Sequence, residues 1–362
     1  MTEYVDAAHA QELDEFVRTQ ENCQFMQTSL WGRVKRDWGW YGILRRDAAG
    51  RITGTMALLR HNIHALHTCL LYCPCGPVFS DGDAVTFCEL VDAAKELAKR
   101  LGAYVLRIDP RVPAENAAFA AAVQEEGFTV NAAPDFSLFQ PRMAYVLDLT
   151  GMTPETLAAQ YHRSTRYNIH HAVRNGITVR RGSVEDLPQF CRMMEQVAQK
   201  NGFTPRGEAY FRAMLEEMPQ NARLYLAQYE GKTVAGAIFV FFGGQASFMY
   251  GCSDTENRAE HPNELIQFVA QCDALAQGCT VFDFRGVEGY PTPDNPKFGL
   301  HRYKAGFGAR FCEYIGQCDL VLRPAMYRLV SLAQKLRRSS GTPLKAPAQQ
   351  AEGQTVLQHY ST

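Results

Sequence analysis

No apolar run in this chain approaches the roughly 18–20 residues a helix needs to cross a bilayer, so no membrane-spanning segment is expected. The first sixteen residues, MTEYVDAAHAQELDEF, are acidic and lack an apolar core, so they do not read as a secretory signal. The expected location is the cytoplasm. Neither sign of charge dominates: 37 Lys and Arg stand against 38 Asp and Glu, a formal net charge of −1. That balance excludes a strongly basic nucleic-acid coat and confines any RNA contact to a local patch. Among the 11 cysteines there is no CxxC pair and no His/Cys cluster of zinc spacing. Buried reduced thiols and no metal are expected.

The 362 residues have an ordinary globular composition, 46% hydrophobic and 21% charged, and suffice for two domains with their own cores. The layout runs twice. In the first half Tyr41 to Arg46 and Ile52 to Arg60 read as a hairpin and Thr68 to Cys73 as an apolar strand. A helix follows over about Ala84 to Leu101, with Phe87, Leu90, Val91, Ala94, Leu97 and Ala98 at three-and-four spacing, and then a strand from Ala103 to Ile108. The second half repeats the order: Leu224 to Tyr229 with Val234 to Phe242, Ala246 to Tyr250, a helix over Glu264 to Ala276, and a strand over Thr280 to Phe284. Hairpin, strand, helix, strand is the plan of an acetyltransferase-like (GNAT) domain. The predicted class is α/β (α+β), with two such domains in tandem. A helix start is expected near Leu147 to Pro154, with Thr153 as cap and Pro154 at the first helical position.

The densest motif is residues 284–308, FRGVEGYPTPDNPKFGLHRYKAGFG, a strand end running into a Gly- and Pro-rich loop that delivers Lys304. This run, with the aromatic strand Phe311 to Ile315 after it, resembles the FemXAB family, the aminoacyl-tRNA-dependent transferases that build the interpeptide bridge of peptidoglycan. The resemblance covers most of residues 25–330. It implies a first domain of residues 1–147 plus a returning tail, 318–362, and a second domain of 148–317. No long charged heptad segment is present, so the chain resembles the compact members without a helical arm. Beyond Arg338 a Ser, Gly, Pro, Ala and Gln-rich tail is expected to be poorly ordered.

The resemblance also implies roles for individual residues. Lys35, in Ser29-Leu30-Trp31-Gly32-Arg33-Val34-Lys35, matches a lysine that meets the diphosphate of the muropeptide; a residue-level reading without it would put Lys35 in solvent. Tyr104 and Asp109 match groove residues, with Asp109 orienting or deprotonating the attacking amine. Arg206, Tyr210 and Tyr250 match residues that hold acceptor phosphates and sugar. Lys304 is assigned to the developing oxyanion, because aminoacyl transfer breaks an already activated ester and needs orientation plus a positive group there. The general base stays open. One departure stands out: Cys75-Gly76-Pro77 replaces the family's Arg-Gly-Pro turn.

The implied donor is aminoacyl-tRNA and the implied acceptor UDP-MurNAc-pentapeptide or a lipid-linked precursor, modified at the side-chain amine of its third residue; no cofactor is expected. Two basic runs suit phosphate backbone: Arg163, Arg166, His170, His171, Arg174, Arg180 and Arg181, and Arg323, Arg328, Lys335, Arg337 and Arg338. The second equally suits peripheral contact with the anionic inner membrane face. The competing reading is an N-acyltransferase using an acyl-CoA or carrier-bound donor. Neither Gly76-Pro77-Val78-Phe79-Ser80-Asp81 nor Gly251-Cys252-Ser253-Asp254 fits the [QR]-x-x-G-x-[GA] pyrophosphate loop it would need. A third reading is a non-catalytic module that binds cell-wall precursor or RNA.

Overall fold

A computed structural model describes residues 1–80 and 83–339, and the chain in it builds two mixed β-sheets. The strands of the first run β1 (Thr2–Val5), β2 (Gly39–Arg46), β3 (Ile52–Ile63), β4 (Thr68–Cys73), β5 (Val78–Phe79), β6 (Ala103–Ile108) and β7 (Thr129–Asn131). The second sheet takes β8 (Met143–Asp148), β9 (Thr178–Arg181), β10 (Ala222–Tyr229), β11 (Lys232–Phe242), β12 (Gln245–Ser253), β13 (Val281–Val287) and β14 (Arg310–Glu313). The chain then returns to the first sheet with β15 (Gln317–Val321). The helices are α1 (Gln11–Thr19), α2 (Ser29–Val34), α3 (Ala84–Leu101), α4 (Ala117–Glu125), α5 (Pro154–Gln160) and α6 (Arg163–Arg174). They continue with α7 (Leu187–Asn201), α8 (Glu208–Glu217), α9 (Pro262–Ala276), α10 (Phe298–Gly306) and α11 (Pro324–Ser339).

The first unit comprises residues 1–133, 138–142 and the segment from Glu313 onward through α11. Its strand order is β1-β2-β3-β4-β6-β15-β7, with β5 added to β3. All six residues of β4 are buried, as an unbroken apolar run predicts for a strand covered on both faces. From β4 the chain crosses through α3 to a parallel partner, β6, and the pair runs from Cys69 to Cys73 with a register shift between Cys69 and Leu70. The Asp83 side chain caps the start of α3 by accepting from the Thr86 amide, and Gly102 ends it in the left-handed region. Across β6 and β15 the Arg107 guanidinium forks onto Asp319 with two 2.6 Å bonds, and Tyr327 of α11 also donates to Asp319.

The second unit holds residues 134–137 and 143–312, with strand order β14-β8-β13-β12-β11-β10-β9. Strands β10, β11 and β12 form an antiparallel meander, and β12 crosses through α9 to its parallel partner β13. That pairing is short: only Gln245 to Ser247 face Val281 to Asp283. Beyond it β13 pairs with β8, with a bulge between Asp283 and Gly286. At α5, Thr153 and Thr156 form a reciprocal capping box with Pro154 in the first turn.

The hairpin, strand, helix and parallel strand therefore occur once in each unit. Strand β8 belongs to the second sheet, because Met143, Tyr145 and Leu147 lie in the second core; the break falls at residue 143, where the sequence suggested 148. Lys304 sits in the last turn of α10, where the sequence suggested a loop. The tail beyond Ser339 lies outside the described residues, as do the side chains of Lys335, Arg337 and Arg338 in the second basic run. Among the described residues no helix is long and apolar enough to cross a membrane.

Candidate active site

In the second unit the site is built around the bulge of β13. Arg285 has a φ of +60°, a conformation an L side chain rarely adopts, so something must hold it there. Lys304 does. Its ammonium, fully buried, donates to the carbonyls of Phe284 (2.7 Å), Arg285 (3.1 Å) and Gly286 (2.7 Å). An ammonium has three N–H donors, and all three are committed to this strand. Asp283 is also buried, accepts from the Arg285 amide at 2.7 Å and lies 3.7 Å from the Arg285 guanidinium. Burial pushes the Lys304 ammonium down to about 7, while the Asp283 carboxylate opposes that shift.

The loop before α10 is ordered by Asn295. Its amide donates to the carbonyls of Glu288 (2.8 Å) and Tyr290 (2.7 Å), and its side-chain oxygen accepts from the Lys297 amide (2.8 Å). Gly289, at φ +71°, is needed here: a Cβ would stand 2.8 Å from the Asn295 amide nitrogen. His301 of α10 reaches the Glu288 carbonyl at 3.2 Å and the Tyr145 hydroxyl at 3.2 Å; burial lowers its pKa, which keeps it neutral near pH 7.

Three of the sequence-derived residues come together in the same unit. Arg206, just ahead of α8, lies 5.0 Å over the Tyr210 ring, and the Tyr250 hydroxyl of β12 donates to that of Tyr210 at 3.1 Å. Phe211 packs edge-on against Tyr250 at 5.0 Å and fixes its ring. The result is a guanidinium over one ring of a tyrosine pair, chemistry suited to phosphate and to the apolar face of a sugar.

In the first unit Lys35 caps the C-terminus of α2 and is buried, with its ammonium 4.6 Å over the buried Trp31 ring. Asp109, at the end of β6, is also buried. One of its oxygens accepts from the Cys75 amide at 2.5 Å and the other from the Tyr72 hydroxyl. Tyr72 is in turn met by the Gln140 amide at 3.5 Å. Burial and then the Asp109 charge raise the Tyr72 pKa well above its usual value, so the phenol stays a donor. Tyr104 stands at the other end of β6, against Tyr327 and close to the Arg107–Asp319 pair. The structure thus does not bring Tyr104 to Asp109.

Sequence reasoning missed Tyr72, Asp283 and Arg285. For Tyr72 the available signal was a tyrosine in an otherwise apolar strand just before a Gly-Pro turn. For the other two it was opposite charges two apart in an apolar strand, Val281-Phe282-Asp283-Phe284-Arg285.

Two helix starts follow the β4 and β12 strands, the place where an acyl-CoA enzyme offers bare amides to pyrophosphate. At α3 the Asp83 carboxylate already occupies the Thr86 amide. At α9 the first position is Pro262, which has no N–H, and the buried Glu264 sits in the first turn. The first start thus has a carboxylate on its free amide, and the second has no N–H at its first position and a carboxylate in its first turn.

The two sheets, each with its hairpin–strand–helix–strand unit, define a tandem acetyltransferase-like protein. The fold is shared with a tandem GNAT protein from the clavulanic acid biosynthesis pathway (TM-score 0.54, 13% identity, covering 88% of this chain and 98% of that one). It is shared more closely with a crystal structure of FemX (TM-score 0.83, 23% identity, covering 91% and 99%). The FemAB family model matches residues 8–233 and 228–335, and the chain belongs to the FemAB family. Among curated relatives, the lipid II:glycine glycyltransferase of Staphylococcus aureus strain bovine RF122 / ET3-1 is 26% identical over 397 positions, covering 88% of this chain and 93% of the relative. That of strain MRSA252 is similar to the same extent.

Proposed function

We propose that this protein is an aminoacyltransferase of peptidoglycan bridge synthesis, moving an amino acid from aminoacyl-tRNA to the side-chain amine at position three of a muramyl-pentapeptide precursor. The observation that carries it is the FemAB match across nearly all of both units, with relatives named lipid II:glycine glycyltransferases that are matched over 93% of their own length. The carboxylates at the starts of α3 and α9 argue against the acyl-CoA alternative, since a pyrophosphate would meet like charge there.

In the reaction the acceptor amine attacks the ester carbonyl of the charged tRNA. A C–N bond forms, the C–O bond to the tRNA ribose breaks, and the ribose oxygen leaves with the proton the amine gives up. Asp109, fixed by Tyr72 and the Cys75 amide, offers a carboxylate to the acceptor ammonium. Lys35 is assigned to acceptor phosphate, as is Arg206, with Tyr210 and Tyr250 forming an aromatic support. Lys304 acts through β13: its committed donors shape the bulge that carries Asp283 and Arg285, and it is a positioning residue. Tyr104, beside Tyr327, supports β6 from its other end.

The test is a transfer assay read by mass spectrometry. Purified protein is incubated with UDP-MurNAc-pentapeptide or lipid II and with tRNA charged with glycine, alanine or serine. A one-residue gain that needs charged tRNA is expected. Gain from an acyl-CoA, or none from any charged tRNA with either acceptor, overturns the reading.

A further inference from the structure

We propose that one face of α6 is the docking surface for the phosphate backbone of the donor RNA, an inference that rests on the donor assigned above. Arg163, Tyr167, His170 and Arg174 recur at i, i+4, i+7 and i+11 and are all exposed. At 100° per residue they fall within about 60° of arc, in a stripe about 16 Å long at 1.5 Å per residue. The opposite face, Thr165, Ile169 and Ala172, is buried. The helix contains no acidic residue, in a chain whose acids outnumber its bases.

Other basic residues nearby are accounted for within the protein. Arg166 donates to the Ala159 and Tyr161 carbonyls. Arg180 pairs with Asp186, Arg181 with Asp273, and His171 with Glu260. Arg163, His170 and Arg174 have no such counter-charge among the described residues. Arg163 also occupies the first position of the helix, where the positive end of the dipole disfavours a cation. Four other helices put acids in that turn: Glu12 and Asp14, Glu155, Glu208, and Glu264. A cation held against the local preference, without an internal partner, is explained by an external anion.

The ligand is RNA by two features. Two guanidiniums and an imidazole in line along a helix suit successive phosphates, and Tyr167, 59% exposed among them, offers a ring on which an unpaired base stacks. The stripe also ends where an aminoacylated terminus is useful. The His162 amide donates to the Gly306 carbonyl at 2.8 Å, so the Arg163 end abuts the last turn of α10, two residues from Lys304. Gly306 is required at that contact, since a Cβ would stand 2.5 Å from the Thr165 hydroxyl.

The experiment is fluorescence anisotropy with labelled uncharged tRNA, run over a salt series on the full chain. Compared with wild type, R163A/R174A should weaken binding at least about tenfold and flatten the log–log salt slope by about 1.4–1.8, because two phosphates are no longer neutralised by the protein. Y167A should weaken binding by roughly fivefold or more with the slope unchanged. Lys232→Glu, an exposed charge reversal on β11, should leave binding intact. R163Q/R174Q should behave as the alanine pair does, and thermal unfolding reports whether each variant is folded. Absence of tRNA binding by wild type, equal binding by the folded double variants, or loss confined to phosphatidylglycerol vesicles overturns the inference. The transfer assay separates the two ideas: tRNA-dependent transfer unaffected by R163A/R174A would remove this surface and leave the proposed function standing.

Discussion

Replacing Lys304 with methionine separates a lysine that shapes the site from one that touches the reacting atoms. The substitution keeps the side chain's length but leaves the buried Phe284, Arg285 and Gly286 carbonyls without the ammonium that now bonds all three. An orphaned buried acceptor costs about 1–3 kcal/mol. Against that, an ammonium whose pKa burial pushes from 10.5 to about 7 carries up to about 5 kcal/mol of burial cost at pH below 7, at 1.36 kcal/mol for each pH unit, and K304M removes it. Three orphaned acceptors cost about 3–9 kcal/mol together, so at pH below 7 the net change lies between a gain of about 2 and a loss of about 4 kcal/mol. The damage is local. Loss of even one carbonyl's partner predicts that the amides of Gly286 and Val287, which face Ala144 and Met143 of β8, exchange with solvent about 10- to 100-fold faster. Transfer should fall by about 100-fold or more, the penalty of an ångström-scale misplacement. K304R should not rescue it, because a planar fork cannot bring one nitrogen to three carbonyls. Hydrogen exchange read by mass spectrometry, beside the transfer rate, decides the matter. Lost activity with unchanged exchange over residues 284–287 would refute the positioning role and place the ammonium at the oxyanion.

The same lysine has a pH signature. Its folded pKa lies below the unfolded value, so between about pH 7 and 10.5 the unfolded chain holds a proton the native state has shed, and stability rises with pH through that window. Urea titrations should show wild type gaining on K304M from pH 7 to 10; a flat difference would mean the three carbonyls hold the proton in its ordinary range. Asp319→Asn breaks the buried fork from Arg107 and should cost about 3–5 kcal/mol in urea unfolding, with a value under about 1 kcal/mol counting against a tight pair. Asn295→Asp should destabilise more than Asn295→Ala, because it points a carboxylate at the Glu288 and Tyr290 carbonyls that now accept from the amide; the reverse order by thermal unfolding would refute that hub. Thr153→Ala, which removes the α5 cap, should cost about 1 kcal/mol, and no measurable change would show the capping box to be idle.

How much of this was legible beforehand depends on what each stretch has to satisfy. Helix α3 announced itself because its apolar residues keep 3.6 periodicity and Gly102 ends it; β4 did so because both of its faces are covered. Helix α10 did not, since the Gly- and Pro-rich segment before it reads as a continuous loop, and its buried residues Leu300, His301, Tyr303 and Lys304 include two polar side chains. Pattern reading takes a lysine for a surface residue, and this one is buried because its partners are backbone carbonyls, which no side-chain pattern records. The family motif suggested the candidate residues, but not their geometry. Tyr104 and Asp109 share a strand and stand at its two ends, and Tyr72, on the neighbouring strand, is the tyrosine that holds Asp109. A buried carboxylate must find donors. Two donors to Asp109 are not its neighbours in sequence: they come from Tyr72 and Cys75, across the β4–β6 pairing. The charged pair Asp283 and Arg285 carried a readable signal of this kind, because two ionised groups inside an apolar strand require a counter-charge and polar backbone around them. At this site those are each other, Lys304 and the bulge itself.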